Sequence, residues 1–209
     1  MTLMTRRLFA SAAALALTAP FAFAQEEPAG PVDQALLNTP PAGGEMMLGK
    51  PEAKVTIVEY ASASCPHCAA FANEELPKFM KDYIDAGKVK LIFREFPHNQ
   101  AALGGFMVAR CAPKEKYFPL VEVMFKTQEK WVPQPYQGLK DIALQAGFTA
   151  EAFETCIKNK DVAKGIVDSR AQGDKLGVQG IPTFFINGER YKGEYTFDAM
   201  KVVLDKLLG

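Results

Sequence analysis

Val55-Thr56-Ile57-Val58-Glu59-Tyr60, Ala61-Ser62-Ala63-Ser64 and Cys65-Pro66-His67-Cys68 run consecutively, and their reading decides the fold. The first six residues are rich in β-branched side chains and bounded by loop residues, so they predict a strand buried on both faces. Beyond the second cysteine, Cys68, Phe71, Ala72, Leu76, Phe79, Met80 and Tyr83 fall on one side of a helix. Pro66 suits the first helical position, where no backbone donor is needed. Pro77 lies inside the pattern and is expected to kink it.

The two cysteines therefore sit where a strand ends and a helix begins. Unpaired amides and the helix dipole stabilise a thiolate at that junction. Cys65, on the outer side, is the expected exposed nucleophile, and Cys68, one turn inward on the apolar face, the buried resolving thiol. His67 adds a donor and, when protonated, a positive charge; both would lower the Cys65 pKa. A stabilised thiolate stabilises the reduced form, so the disulfide becomes the stronger oxidant.

Other uses of C-x-x-C fit less well. Haem attachment needs a histidine directly after the second cysteine, and Ala69 stands there. Structural zinc needs four ligands, which only Cys65, Cys68, His67 and His98 together could supply. A Cys65–Cys68 bond closes too small a loop to staple a fold. Redox chemistry is the reading adopted, with the Cys65–Cys68 disulfide as the redox group, no separate cofactor and no metal.

Working outward, Val89, Leu91, Ile92 and Phe93 mark a second strand over 88–96. Strand signals then nearly vanish to about residue 159. Helices are predicted over 101–110, 116–130, 139–146 and 150–158, punctuated by Pro113, Pro133, Pro135 and Gly147. Another helix spans 161–176. Thr183-Phe184-Phe185-Ile186 is a strand, Asn187-Gly188 a strong hairpin signal, and 189–192 the returning strand. Thr196 is an N-cap for a closing helix with Phe197, Met200, Val203, Leu204 and Leu207 on its apolar stripe.

Toward the N-terminus, residues 1–24 read as an export signal. Arg6 and Arg7 form its basic end, Leu8 to Ala19 its apolar run, and Ala22-Phe23-Ala24 its cleavage site. The run is too short for a membrane span. Thr5-Arg6-Arg7-Leu8-Phe9 also resembles a twin-arginine signal. Residues 25–53, with Pro28, Pro31, Pro40 and Pro41, read as a Pro/Gly-rich arm, mobile or lying on the surface, and too broken to dimerise.

The 209 residues balance 24 Lys and Arg against 24 Asp and Glu, with 48% hydrophobic residues. Removing residues 1–24 takes two arginines and no acid, leaving −2. Such a chain is globular and lacks the basic footprint of a nucleic-acid binder. Export places it in an oxidising compartment. Its four cysteines, Cys65, Cys68, Cys111 and Cys156, allow three pairings. A Cys111–Cys156 bond would close a loop of about 45 residues, worth about 4 kcal/mol in the chain-entropy model; two buried free thiols are the alternative.

Strand–Cys-Pro-His-Cys–helix, a helical insertion, and Gly180-Ile181-Pro182-Thr183 before a hairpin resemble the DsbA family of periplasmic thiol:disulfide oxidoreductases. The likeness covers residues 54–208. It implies an α/β fold: a thioredoxin fold (54–99 and 161–209) interrupted by an all-helical insertion domain (100–160). It further implies a monomer that gives the Cys65–Cys68 disulfide to reduced or unfolded exported proteins, reoxidised by a DsbB-like membrane quinone reductase.

Pro182 matches the family's cis-proline beside the active site, which would set the Ile181 backbone next to the cysteines to pair with an extended client. Glu59 matches the family's buried acid. From its own surroundings it is either a proton acceptor for Cys68 or a strand-end residue with its head in water. Ile181 departs from the valine or threonine of many oxidising relatives, which keeps a disulfide isomerase or reductase on the same scaffold in play. A metal-binding or holdase module is the rival from another class. His98 and Trp131 read as packing residues without a role.

Overall fold

The computed structural model describes residues 31–209. The export signal, Arg6 and Arg7 included, and the first part of the arm lie outside the described residues.

Five strands form one mixed sheet: β1 (Met46–Leu48), β2 (Val55–Ala61), β3 (Val89–Glu95), β4 (Thr183–Ile186) and β5 (Glu189–Arg190), in the order β1-β3-β2-β4-β5. β2 and β3 run parallel, and the remaining pairs are antiparallel. β2 lies centrally, and six of its seven residues are buried, as the β-branched run requires. The β4–β5 turn uses Asn187 (φ 47°) and Gly188 (φ 91°), the left-handed pair that a two-residue hairpin demands.

The helix after the cysteines begins as α2 (Pro66–Ala70) and continues through a π-helical turn (Phe71–Glu75), α3 (Leu76–Phe79) and a second π turn (Met80–Ile84). The Leu76 amide donates to Phe71 O, five residues back. The widened turn just before Pro77 accommodates a residue that has no N–H and whose ring would crowd the fourth carbonyl behind it. The expected kink is thus realised as local widening.

Between β3 and the long helix α9 (Lys160–Lys175) stand α4 (Gln100–Cys111), a 3-10 turn (Lys114–Lys116), α5 (Tyr117–Lys126), α6 (Gln128–Trp131), α7 (Pro135–Gln145) and α8 (Ala150–Ile157). Side-chain caps start α4, α8 and α9: Asn99 accepts from Ala102 N, Thr149 from Ala152 N, and Asn159 from Asp161 N and Val162 N. Thr196 likewise caps α10 (Phe197–Leu208), accepting from Ala199 N.

The expected 116–130 helix is broken at Thr127, whose hydroxyl donates to Val123 O. α7 starts at Pro135, four residues earlier than expected, because that proline opens the helix at its first position. Cys111 and Cys156 are joined by a disulfide with Cα atoms 6.0 Å apart, tying the end of α4 to α8.

Residues 25–53, read as an arm, need correction where they are described. They supply α1 (Gln34–Leu37) and the edge strand β1, and bury Leu37 and Met46. β3 otherwise has an open edge whose amides and carbonyls need partners, and Met46 to Leu48 provide them. Arg94, fully buried, draws the segment in by donating to Thr39 O at 2.9 Å and Leu37 O at 3.4 Å.

One apolar layer on the sheet packs Val55, Ile57, Phe71, Phe79, Phe184, Met200 and Leu204. Another packs Leu37, Val58, Tyr60, Phe96, Leu176 and Phe185. The third and largest lies in the helical block around Phe106, Tyr117, Met124, Trp131 and Phe153, and it reaches Ala63, Cys65 and Cys68. The C-terminal end of β2 is therefore where the sheet and the helical block meet.

Candidate active site

Cys65 caps α2 with extended backbone, φ −87° and ψ 121°. Cys65 is only 6% exposed, which corrects the expectation of an exposed nucleophile, because the helical block packs over it; Cys68 is fully buried, as expected. Both thiols are free. The Cys65 pKa is lowered to about 6, first by the hydrogen bond from the Cys68 thiol, then, against the cost of burial, by the backbone amides of Cys68 and His67 and the charge of His98. Burial first, then its bond to Cys65, pushes the Cys68 thiol far up. Ser62 N donates to Cys68 Sγ at 3.5 Å. The motif thus holds one thiol ready to ionise and one kept protonated.

The His67 side chain is exposed, and its backbone N–H is one of the donors that lower the Cys65 pKa. The histidine whose charge reaches Cys65 is His98, at the β3–α4 turn. His98 Nδ1 lies 2.7 Å from Ser62 Oγ, and Gln128 of α6 donates Nε2 to Ala63 O at 2.8 Å and Cys65 O at 3.0 Å. None of these contacts had a sequence signal, because they join residues 36 to 65 positions apart.

Glu59 points into the sheet's apolar layer between Phe93 and Phe184, its cross-strand neighbours. It is 2% exposed, its Oε1 has no partner, and burial raises its pKa to about 8. Its charge is felt at Cys68. A cavity of about 370 Å³ lies against it, lined by Ala72, Leu76, Phe93, Val121 and Phe125 and reaching the exposed Lys81 and Glu122. Of the two readings of Glu59, the head-in-water one fails, because the carboxyl is inside.

The Ile181–Pro182 bond is cis. It sets Ile181 O 3.7 Å from Cys65 Sγ, with Pro182 buried and Ile181 half-buried. Pro66 is exposed at the start of α2, beside a groove of about 580 Å³ between α2 and the α5–α6 corner. Among the described residues, no three His, Cys, Asp or Glu side chains gather as a metal site would need.

A junctional thiol pair facing a cis-proline across a mixed sheet is a family arrangement, and comparison with known proteins agrees. Residues 41–206 match the family model described as thioredoxin. The crystal structure of Wolbachia pipientis alpha-DsbA1 superposes with a TM-score of 0.75 at 30% identity, covering 83% of this chain and 96% of that one. The chain belongs to the DsbA group of the thioredoxin family.

Oxidised BdbD from Bacillus subtilis shares the DsbA-type fold at a TM-score of 0.70 and 26% identity, over 81% of this chain and 96% of its own. Relatives in Rickettsia bellii and Rickettsia conorii, named as candidate protein-disulfide oxidoreductases, are 30% and 32% identical over 168 residues. Those alignments take in 78% of this chain but 64% and 60% of theirs, so the chain spans less than two thirds of their length.

Proposed function

We propose that this DsbA-type chain is a protein dithiol oxidase of the periplasm, acting as a monomer on reduced exported proteins. The carrying observation is the contrast between its two thiols, Cys65 lowered to about 6 and Cys68 held protonated. A client thiolate attacks Cys65 Sγ of the Cys65–Cys68 disulfide; that S–S bond breaks and a mixed disulfide forms. The sulfur released at Cys68 takes a proton, and Glu59, neutral below about pH 8, is the nearby acid. The client's second thiolate then attacks its own bound sulfur. Cys65 departs as a thiolate, a good leaving group because it is stabilised. Two client thiols become one disulfide, and the enzyme holds both electrons.

In reoxidation the Cys65 thiolate attacks a disulfide of the oxidant to form a mixed disulfide; Cys68, losing its proton to the Glu59 carboxylate that the first step leaves, then attacks Cys65 Sγ and the oxidant's thiolate departs. A DsbB-like membrane quinone reductase is the proposed oxidant, and the Cys65–Cys68 disulfide is the only redox group required. The cis bond before Pro182 leaves the Ile181 backbone facing Cys65, where an extended client can pair as an added strand.

Cys65→Ser should abolish oxidation of a reduced, unfolded test protein; full activity in that variant would overturn the proposal. An isomerase or reductase would stay reduced in the cell. Acid trapping of the Cys65 thiol should therefore find the protein mostly oxidised.

A further inference from the structure

Two asparagine and serine contacts define the state of His98. Asn99 Oδ1 accepts from Ala102 N at 2.8 Å and from Ser64 Oγ at 3.0 Å. That turns the Asn99 amide nitrogen toward His98 Nε2, 3.0 Å away. An amide NH2 can only donate, so Nε2 accepts, and the ring proton sits on Nδ1, directed to Ser62 Oγ at 2.7 Å. Ser62 in turn gives its backbone N–H to Cys68 Sγ. The four residues Ser62, Ser64, His98 and Asn99 thus bracket the loop that leads into Cys65.

We propose that His98, held by Ser62 and Asn99, is a positioning residue of the Cys65 site: it fixes the loop ahead of the nucleophile, and with it the Ser62 N–H that meets Cys68 Sγ. The inference rests on the oxidase reading and deepens it, adding to the site a residue from outside the Cys-Pro-His-Cys motif.

The test is to titrate the thiolate absorbance of the reduced protein in wild type, His98→Gln, His67→Gln and Ser62→Ala, and to equilibrate each with a glutathione buffer. Near pH 6, His98→Gln should lower the thiolate-to-thiol ratio about two- to five-fold, the range of one lost hydrogen bond in the loop that presents the thiols. Its shift should exceed that of His67→Gln, and its glutathione equilibrium should move toward a less oxidising disulfide. Ser62→Ala, which cuts the tether but keeps the imidazole, should shift in the same direction by less, and it carries the test should His98→Gln fail to fold. A titration of His98→Gln that matches wild type, or one smaller than that of His67→Gln, overturns the inference. So does a Ser62→Ala titration identical to wild type. Because the readout is thiol ionisation, these outcomes are separate from loss of client oxidation in Cys65→Ser, which tests the oxidase reading itself.

Discussion

Gln128 Nε2 donates to the carbonyl of Cys65 at 3.0 Å, so a side chain from the helical block holds the backbone of the nucleophile. The same nitrogen also meets Ala63 O at 2.8 Å. Removing it leaves the Ala63 carbonyl of a largely buried loop without a partner, while Cys65 O keeps only Ala69 N, at 3.0 Å. Gln128→Ala should therefore cost about 1–3 kcal/mol of stability. In thermal melts that is about 2–4 °C per kcal/mol for a chain of this size. Client oxidation should slow as well, because the loop that presents Cys65 loosens. A melt and a rate both equal to wild type would show that the clamp is idle.

The reduced protein should gain stability with rising pH relative to the oxidised one. Cys65 ionises at about 6 when folded and near 9 as an ordinary thiol. A group with a depressed folded pKa contributes stability that is complete above its unfolded pKa and is lost as pH falls through its folded pKa. The gap between reduced and oxidised forms in urea melts should thus widen from pH 5 to pH 8. The oxidised protein has no Cys65 proton to lose, so it serves as the baseline.

Glu59 should act with the opposite sign. Its carboxyl stays protonated to about pH 8 in the fold but ionises near 4.5 when unfolded, so stability falls as pH rises between those values. Glu59→Gln removes that loss. The variant should gain on wild type steadily from pH 4.5 to pH 8 in the same melts, while the turnover of mixed disulfides slows for want of a proton carrier. Parallel stability curves for the two proteins would contradict the buried, neutral carboxyl.

Replacing Cys111 and Cys156 together with alanine should lower stability by about 2–5 kcal/mol, the usual effect of losing a native crosslink. The bond ties α4 to α8, away from α2, so the ionisation of Cys65 should stay as in the parent. Guanidinium melts and the thiolate titration, run side by side, read the two effects separately.

Local signals carried most of the fold. The β-branched run into Cys65, the Asn187-Gly188 turn and the Thr196 cap each have a mechanism contained within a few residues, and each is seen in the structure. β1 was not legible. Met46, Met47 and Leu48 lack β-branching and follow a stretch rich in proline and glycine; the open edge of β3 recruits them. Pro135 reads as punctuation although it opens α7, since a proline that ends one helix can also stand at the first position of the next. At the site, the thiols were visible by spacing. His98 and Gln128 were hidden because their contacts exist only after β3 and α6 come up against the loop.

The strands at the two margins of the sheet are only three and two residues long. For a protein that, on the function proposed above, meets unfolded polypeptides, a long bare margin would be a template on which they could stack. Clipped borders would leave such polypeptides little purchase, so a brief encounter need not become a deposit.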